Sequence, residues 1–160
     1  MKALVIVFSY HHNNTEKVAK VIANVFEAPV KTPQQVNPEE LGEYDLIGFG
    51  SGIYSAKHHQ SLLDLADKLP QVIGKKAFIF STYGAPAVFA DRKFVENNHS
   101  QLRQKLKAKG YSISGEFGCP GWNTNSFLRF FGGLNKGRPD KNDLQNAETF
   151  ARKVQEKALR

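Results

Sequence analysis

Residues 8–19 of the chain, FSYHHNNTEKVA, place a run of polar residues between an apolar segment and the start of a predicted helix. Ser9, Asn13, Asn14 and Thr15 supply hydroxyl and amide groups, and the first backbone amides of a helix lack partners within it. The helix dipole adds about half a positive charge at that end, so such a loop can bind a phosphate without Lys or Arg. The alternative is a loop that only caps the helix, and these residues alone do not separate the two.

Two pairs of adjacent histidines raise the possibility of a metal site: His11-His12 and His58-His59. Adjacent residues on an extended loop point in different directions, and no carboxylate stands beside either pair, so we predict no metal site. Cys119 is the only cysteine. The next arginine that could hold a phosphate beside this thiol is Arg129, ten positions away, so we predict a buried thiol and no nucleophile.

The elements that must position these residues alternate along the chain. Continuous apolar or alternating runs predict strands at Ala3–Phe8, Ala28–Thr32, Tyr44–Gly50, Lys76–Ser81 and Tyr111–Phe117. A 3.6-residue period predicts helices at Thr15–Phe26, His59–Leu69, Phe94–Lys109 and Asp140–Leu159. Strands that alternate with helices predict an α/β fold with a parallel sheet and helices on both of its faces.

Helix ends and loops complete this outline. We expect Gly110 to end the third helix and Asp140 or Asn142 to cap the fourth. Pro33–Leu41 is predicted to be a loop with a brief helical turn. Because these elements fill the chain, we expect one domain over residues 1–160.

In an open parallel sheet, ligands bind outside the carboxyl ends of the strands. That rule selects the loops Ser9–Thr15, Ser51–His58 and Ser81–Asp91. The second loop contains Gly52 and Tyr54, and the third begins Ser-Thr-Tyr-Gly. Glycines let the backbone approach a ligand, and two aromatic rings at neighbouring strand ends suit a flat ring held by stacking.

The three segments SYHHNNTEK, GSGIYSAKHH and STYGAP, taken with the order of elements, resemble flavodoxins and the wider flavodoxin-like FMN-binding proteins. The resemblance covers nearly the whole chain. It implies a doubly wound, five-stranded parallel sheet in the order 2-1-3-4-5, with FMN at the carboxyl edge.

The resemblance also assigns the cofactor-binding residues. It implies that the phosphate contacts the first loop and that the flavin is flanked by the other two, with Tyr54 or Tyr83 stacking on the ring. The residues so assigned are Ser9, His11, Asn13, Asn14, Thr15, Ser51, Gly52, Ile53, Tyr54, Ser55, Thr82, Tyr83 and Gly84. His11 and His12 stand where typical flavodoxins have small residues, and we expect one of them to donate to the phosphate.

The charge balance departs from the family. Typical flavodoxins are strongly acidic, whereas this chain has 22 Lys and Arg against 15 Asp and Glu, a net charge of +7. The basic residues are scattered through the helices, so we expect no nucleic-acid partner. The apolar run Ala3–Phe8 is too short to span a bilayer and carries no secretory cleavage pattern, so we expect a cytoplasmic protein with no membrane partner. We expect a redox partner with an acidic surface, and a monomer or weak homodimer.

A long segment, Cys119–Pro139, follows the last predicted strand and is rich in Gly and aromatic residues. Loops of this length in compact domains usually have a function or contain a short helix. Trp122 and the cluster Phe127–Phe131 are consistent with a flap over the flavin or a partner surface, but we expect a small satellite core.

The function implied by the resemblance is low-potential electron transfer by bound FMN. Two alternatives stay open. One is a small FMN-dependent reductase, and the residues do not decide between a carrier and an enzyme. The other is a flavin-free adaptor that binds a protein through the aromatic segment at residues 119–139.

Overall fold

Strands and helices alternate along the chain as the sequence predicts. The structure, a computed structural model, describes residues 1–160. The strands are β1 (Ala3–Phe8), β2 (Val30–Lys31), β3 (Leu46–Tyr54), β4 (Lys57–His58), β5 (Lys76–Tyr83) and β6 (Ser112–Pro120). The α-helices are α1 (Asn14–Phe26), α2 (Gln60–Lys68), α3 (Arg92–Ala108) and α4 (Lys141–Ala158). Short 3-10 helices cover Pro33–Gln35, Pro38–Glu43, Ala87–Phe89 and Ser126–Phe131.

Five of the strands form a parallel sheet in the order β2-β1-β3-β5-β6. These are the five predicted strands in the predicted order, so the fold class is confirmed. The sixth strand, β4, was not predicted. It is two residues long and pairs antiparallel with the end of β3, and two residues are too few to show a period in the sequence.

Three strands extend further toward the carboxyl edge than predicted, and one of them is β6, which reaches Pro120. β3 reaches Tyr54 and β5 reaches Tyr83, and Gly52 pairs with Thr82 inside the sheet. In β3 and β5 the apolar run in the sequence stops before the strand does, because the last residues of each strand lie at the polar edge of the sheet. Part of each predicted binding loop is therefore held in the sheet.

Both faces of the sheet are covered. On one face, Phe78 and Phe80 pack with apolar residues of α1 and α4. On the other, Phe49 and Ile79 pack with residues of α2 and α3. β1 lies between β2 and β3 with its first five residues buried, as its uninterrupted apolar sequence predicts.

The predicted helix ends are confirmed. Gly110 follows α3 with a φ of +90°, a conformation that glycine adopts without strain. Asp140 caps α4, and its side chain accepts a hydrogen bond from the backbone N–H of Asp143 at 3.0 Å. None of the helices combines the length and the apolar character that crossing a bilayer requires.

The central strand β3 tolerates no side chain at Gly48. A Cβ atom there would lie 2.2 Å from the ring of Phe78, which is itself enclosed by Phe26 and Phe150. We therefore predict that Gly48→Ala lowers the free energy of unfolding by about 2 kcal/mol, the usual cost of overpacking a core. Urea denaturation measures it. Gly42→Ala is the control, because a Cβ atom there meets nothing within 4 Å; equal midpoints for the two variants would contradict the prediction.

Candidate functional site

A groove opens at the carboxyl edge of the sheet, between the loops that follow β1, β3, β5 and β6. Ten of the predicted site residues line it: Ser9, His11, Asn14, Thr15, Gly52, Ile53, Tyr54, Thr82, Tyr83 and Gly84. Five further residues of its wall were not predicted: Tyr10, Gly121, Trp122, Asn123 and Asn125. The three loops selected from the sequence thus meet at one place.

Three predicted site residues do not line the groove. Asn13 exposes its side chain to solvent at the start of α1. Ser51 is fully buried and its hydroxyl contacts His58. Ser55 lies in the turn between β3 and β4 with a φ of +50°. The neighbouring Ala56 also has a positive φ, and neither residue of this turn lines the groove.

The loop before α1 presents backbone N–H groups without protein acceptors. The amides of residues 10–13 and of Thr15 donate to no protein atom. His12 and Asn13 both have left-handed backbone conformations, with φ of +50° and +52°. Successive amides in a turned backbone form a concave site for an anion, and the helix dipole adds to it.

Side chains that could cap α1 are used elsewhere. Asn13 is the N-cap residue but makes no side-chain capping hydrogen bond. The Asn14 amide donates to the carbonyl of Trp122 at 2.9 Å, and the Thr15 hydroxyl lies 2.8 Å from that of Thr82. Only Ser9 acts locally, because its hydroxyl accepts from the N–H of Glu16 at 3.2 Å. The loop is therefore not a self-capping turn.

Two tyrosines were offered as alternatives for stacking on a ring, and both line the groove. Tyr54 is half-buried, with its hydroxyl 3.0 Å from the position of a Cβ on Gly52. The Tyr83 side chain is buried and packs edge-on against Phe94 at 5.2 Å. Burial, with a smaller effect from Cys119, raises the pKa of Tyr83 to about 12. The packing of its ring against Phe94 therefore favours Tyr54 as the stacking residue, although Tyr83 also lines the groove.

Trp122 forms part of the groove wall, although it was not among the predicted site residues. Its indole N–H donates to the carbonyl of Gly132 at 3.0 Å, and its ring stacks on His12 at 4.0 Å. The only signal in the sequence was its position directly after the last strand. The expectation of a satellite core is wrong for Phe127, Phe130 and Phe131, which are exposed.

The two histidine pairs separate in the fold. His11 lines the groove, whereas His12 turns away to stack on Trp122 and to contact the Thr124 hydroxyl at 2.8 Å. His59 stacks on Phe8 at 3.7 Å and caps α2, accepting from the N–H of Ser61. Burial lowers the pKa of His59. The fourth histidine of these pairs, His58, is buried in the interior.

A buried polar network lies behind the groove, on the face covered by α2 and α3. Nδ1 of His58 lies 3.0 Å from the Ser51 hydroxyl, and Nε2 of His58 has no partner. The His58 ring lies 4.9 Å from that of His99. Nε2 of His99 lies 2.8 Å from the Ser81 hydroxyl, and its Nδ1 lies 3.1 Å from a carboxylate oxygen of Glu116. The network joins the ends of β3, β4 and β5 to α3.

The chain of hydrogen bonds from Ser81 through His99 to Glu116 has the connectivity of a nucleophilic triad. Ser81 is 1% exposed and His99 fully buried, so no substrate reaches the hydroxyl. Glu116 is instead held by Arg103. Burial alone would raise the pKa of Glu116, but hydrogen bonds from His99 and Arg103 outweigh it and lower the pKa to about 2. The triad is a structural ion-pair network and not a catalytic one.

Cys119 is buried, as predicted. Burial raises the pKa of its thiol far above the usual range, with a smaller effect from Asp143. A thiol that stays protonated and enclosed has no nucleophilic role at this groove.

Comparison with known proteins gives a consistent result. A family model described as a flavodoxin domain matches residues 5–119. An uncharacterized protein of Methanocaldococcus jannaschii is 47% identical over 154 residues, which cover 96% of this chain and 98% of that protein.

Two solved structures show the same fold at low sequence identity. Flavodoxin 2 of Bacillus cereus has a TM-score of 0.72 and 18% identity, covering 98% of this chain and 99% of its own. A flavodoxin from the domain Archaea has a TM-score of 0.65 and 19% identity, with both chains fully covered. At these identities the likeness concerns the fold.

The buried His58 makes stability depend on pH. Burial, and secondarily His99, hold its pKa well below the ordinary value of 6.5, so the unfolded chain binds more protons. The stabilisation from neutral His58 is present above pH 6.5 and is lost as the pH falls below that value, by up to about 1.4 kcal/mol per pH unit. We predict that His58→Asn, which retains a polar atom near Ser51, shows a shallower decline of unfolding free energy between pH 7 and 5.

Urea denaturation across that range measures the two profiles. His12→Asn is the matched control, because His12 is exposed and its profile should follow that of the unmodified protein. If His58→Asn and the unmodified protein decline in parallel, the histidine does not carry this pH dependence.

Proposed function

Because the chain belongs to the flavodoxin domain family, we propose that it binds FMN in the groove and transfers electrons at low potential. The observation that carries the proposal is the set of free amides at residues 10–13 and Thr15, next to two aromatic walls. A bound FMN supplies the redox chemistry, since its ring can accept and release electrons. The protein contributes the binding, the orientation and the local charge.

The phosphate end of FMN suits the loop before α1. The free amides can donate to phosphate oxygens, and the Ser9 hydroxyl holds Glu16 N–H so that the first turn keeps its shape. The one acidic side chain of that turn, Glu16, pairs with Lys20 at 2.7 Å. Its negative charge is thereby partly balanced, which favours binding of an anion.

The flat ring of FMN suits the space between Tyr54 and Trp122. Both are aromatic residues of the groove wall, and they come from different elements, one from β3 and one from the segment after β6. Gly52, Gly84 and Gly121 bring the backbone to the surface of the groove. Backbone N–H and C=O groups can then contact the ring edge, while the aromatic faces stack on it.

The amide loop gives a direct test of the phosphate assignment. Asn13→Asp introduces a negative charge beside the free amides without changing the size of an exposed side chain, and Asp also tolerates the left-handed backbone. We predict roughly tenfold weaker binding of FMN but unchanged binding of riboflavin, which has no phosphate. Quenching of flavin fluorescence on titration measures both.

Asn24→Asp is the control, since it makes the same charge change at an exposed position near the other end of α1. Equal loss of FMN and riboflavin affinity in Asn13→Asp would contradict the phosphate assignment. Failure of the unmodified protein to quench FMN at all would contradict the proposed function and favour the flavin-free adaptor.

The second test separates an electron carrier from a reductase. We predict that the FMN-loaded protein is reduced by dithionite and reoxidised by a one-electron acceptor such as cytochrome c, while NADH or NADPH alone leaves the FMN oxidised. Flavin absorbance followed by stopped flow measures each step. Rapid reduction by either nicotinamide would overturn the carrier assignment in favour of an FMN-dependent reductase.

A further inference from the structure

Exposed apolar side chains are concentrated around the mouth of the groove. Of the ten large apolar side chains that are exposed, six lie in the loops that surround it, each between 64% and 85% exposed. They are Tyr10, Val88, Phe89, Phe127, Phe130 and Phe131, which we call the apolar rim. Apolar side chains scattered singly need no explanation, but a cluster at the mouth of a groove marks an interaction surface.

The rim is presented by ordered loops. The segment after β6 is closed by an isolated bridge between Asn123 and Leu134, and its tip is a 3-10 helix, Ser126–Phe131. Asn135 donates to the carbonyl of Ala85 at 2.9 Å, which joins this segment to the loop carrying Val88 and Phe89. The phenylalanines therefore protrude from a segment that hydrogen bonds hold in a defined conformation.

The spacing of the phenylalanines places them together. A 3-10 helix has three residues per turn, so Phe127 and Phe130 lie on one face with Phe131 beside them. None of the three is buried in a satellite core, although the same segment does bury part of Trp122. Exposing side chains of this size to water is unfavourable, and their transfer to an apolar phase would lower the free energy.

The part of the rim that follows β6 carries basic but no acidic side chains. Segment 119–139 contains three basic residues and no Asp or Glu. Arg129 and Lys136 in this segment and Lys93 in the first turn of α3 form no ion pair. The guanidinium of Arg129 lies over the ring of Phe130 at 4.9 Å. A partner that covers the rim is therefore expected to have a negatively charged surface with an apolar layer below it.

We propose that the apolar rim docks on the surface of a lipid bilayer that contains anionic lipids. The phenylalanines insert at the boundary between headgroups and acyl chains, and Arg129, Lys136 and Lys93 contact the headgroup phosphates. This combination of aromatic side chains with flanking cations is the one that binds bilayer interfaces. Docking in this way turns the mouth of the groove toward the membrane.

Other occupants fit less well. A second copy of the chain docked through the same rim would bring together two surfaces that both carry Arg129 and Lys136, and like charges across an interface oppose association. A folded protein needs a complementary shape for its hot spots, whereas separate side chains that protrude from three loops match a deformable surface better. The proposal does not depend on FMN, and it adds a peripheral membrane contact that the sequence analysis does not predict.

Vesicle sedimentation tests the proposal. The protein is mixed with vesicles of phosphatidylglycerol and phosphatidylcholine at 1:3, and with phosphatidylcholine alone. We expect at least roughly tenfold stronger binding to the anionic vesicles, weakened by high salt because the attraction is partly electrostatic. The double change Phe130→Ser and Phe131→Ser should reduce that binding by about tenfold or more.

Matched controls separate docking from general effects. Ile73→Ser changes a side chain that is 97% exposed in the turn before β5, at the opposite edge of the sheet, and should leave vesicle binding unchanged. Arg129→Gln should weaken binding, whereas Lys153→Gln on α4 makes the same charge change away from the rim and should not. Circular dichroism verifies that each variant is folded.

Three results would overturn the proposal. One is equal binding to both kinds of vesicle. Another is unchanged binding by the double phenylalanine variant, which would leave charge alone as the cause. The third is a concentration-dependent dimer, seen by analytical ultracentrifugation, that the phenylalanine changes abolish, because the rim would then be an interface between two copies. FMN quenching in the same samples reports the proposed function separately.

Discussion

The hydrogen bond between the hydroxyls of Thr15 and Thr82 is the contact on which the groove depends. It joins the first turn of α1 to the end of β5 across 67 residues of sequence, and both residues are buried. Since the two side chains satisfy each other there, they can stay polar in a region enclosed by apolar residues. The same turn is fixed from another side by the contact of Asn14 with the Trp122 carbonyl. The backbone amides before α1 are therefore held in place but left without acceptors.

Each face of the sheet carries a polar layer near its carboxyl edge. Thr82 follows Phe80 on the face of α1 and α4, whereas Ser51 and Ser81 follow Phe49 and Ile79 on the other face. On the second face the layer continues through His58 and His99 to Glu116 and Arg103. Burial of this layer is tolerable because almost every group in it has a partner, and Nε2 of His58 is the exception.

The two histidine pairs show that local sequence does not decide the role of a side chain. Both pairs have polar or aromatic neighbours in the sequence and look alike there. In the fold His11 lines the groove, His12 stacks on Trp122, His58 is enclosed with a depressed pKa, and His59 caps a helix. Their roles differ because each faces residues that lie far away along the chain. The choice between Tyr54 and Tyr83 is informed in the same way, since the ring of Tyr83 packs against Phe94 on the next helix.

The sequence by itself determined the alternation of strands and helices, the sheet order implied by the family resemblance, and the three loops that meet at the carboxyl edge. These follow from periodicity, from cap residues and from motifs that are local in the chain. Only the tertiary structure decided that Trp122 closes the groove, that Ser51 turns away from it, that β4 exists, and that Phe127, Phe130 and Phe131 stay in water. Those outcomes depend on which distant surfaces meet, and a side chain of a given type is compatible with either burial or exposure until its neighbours are in place.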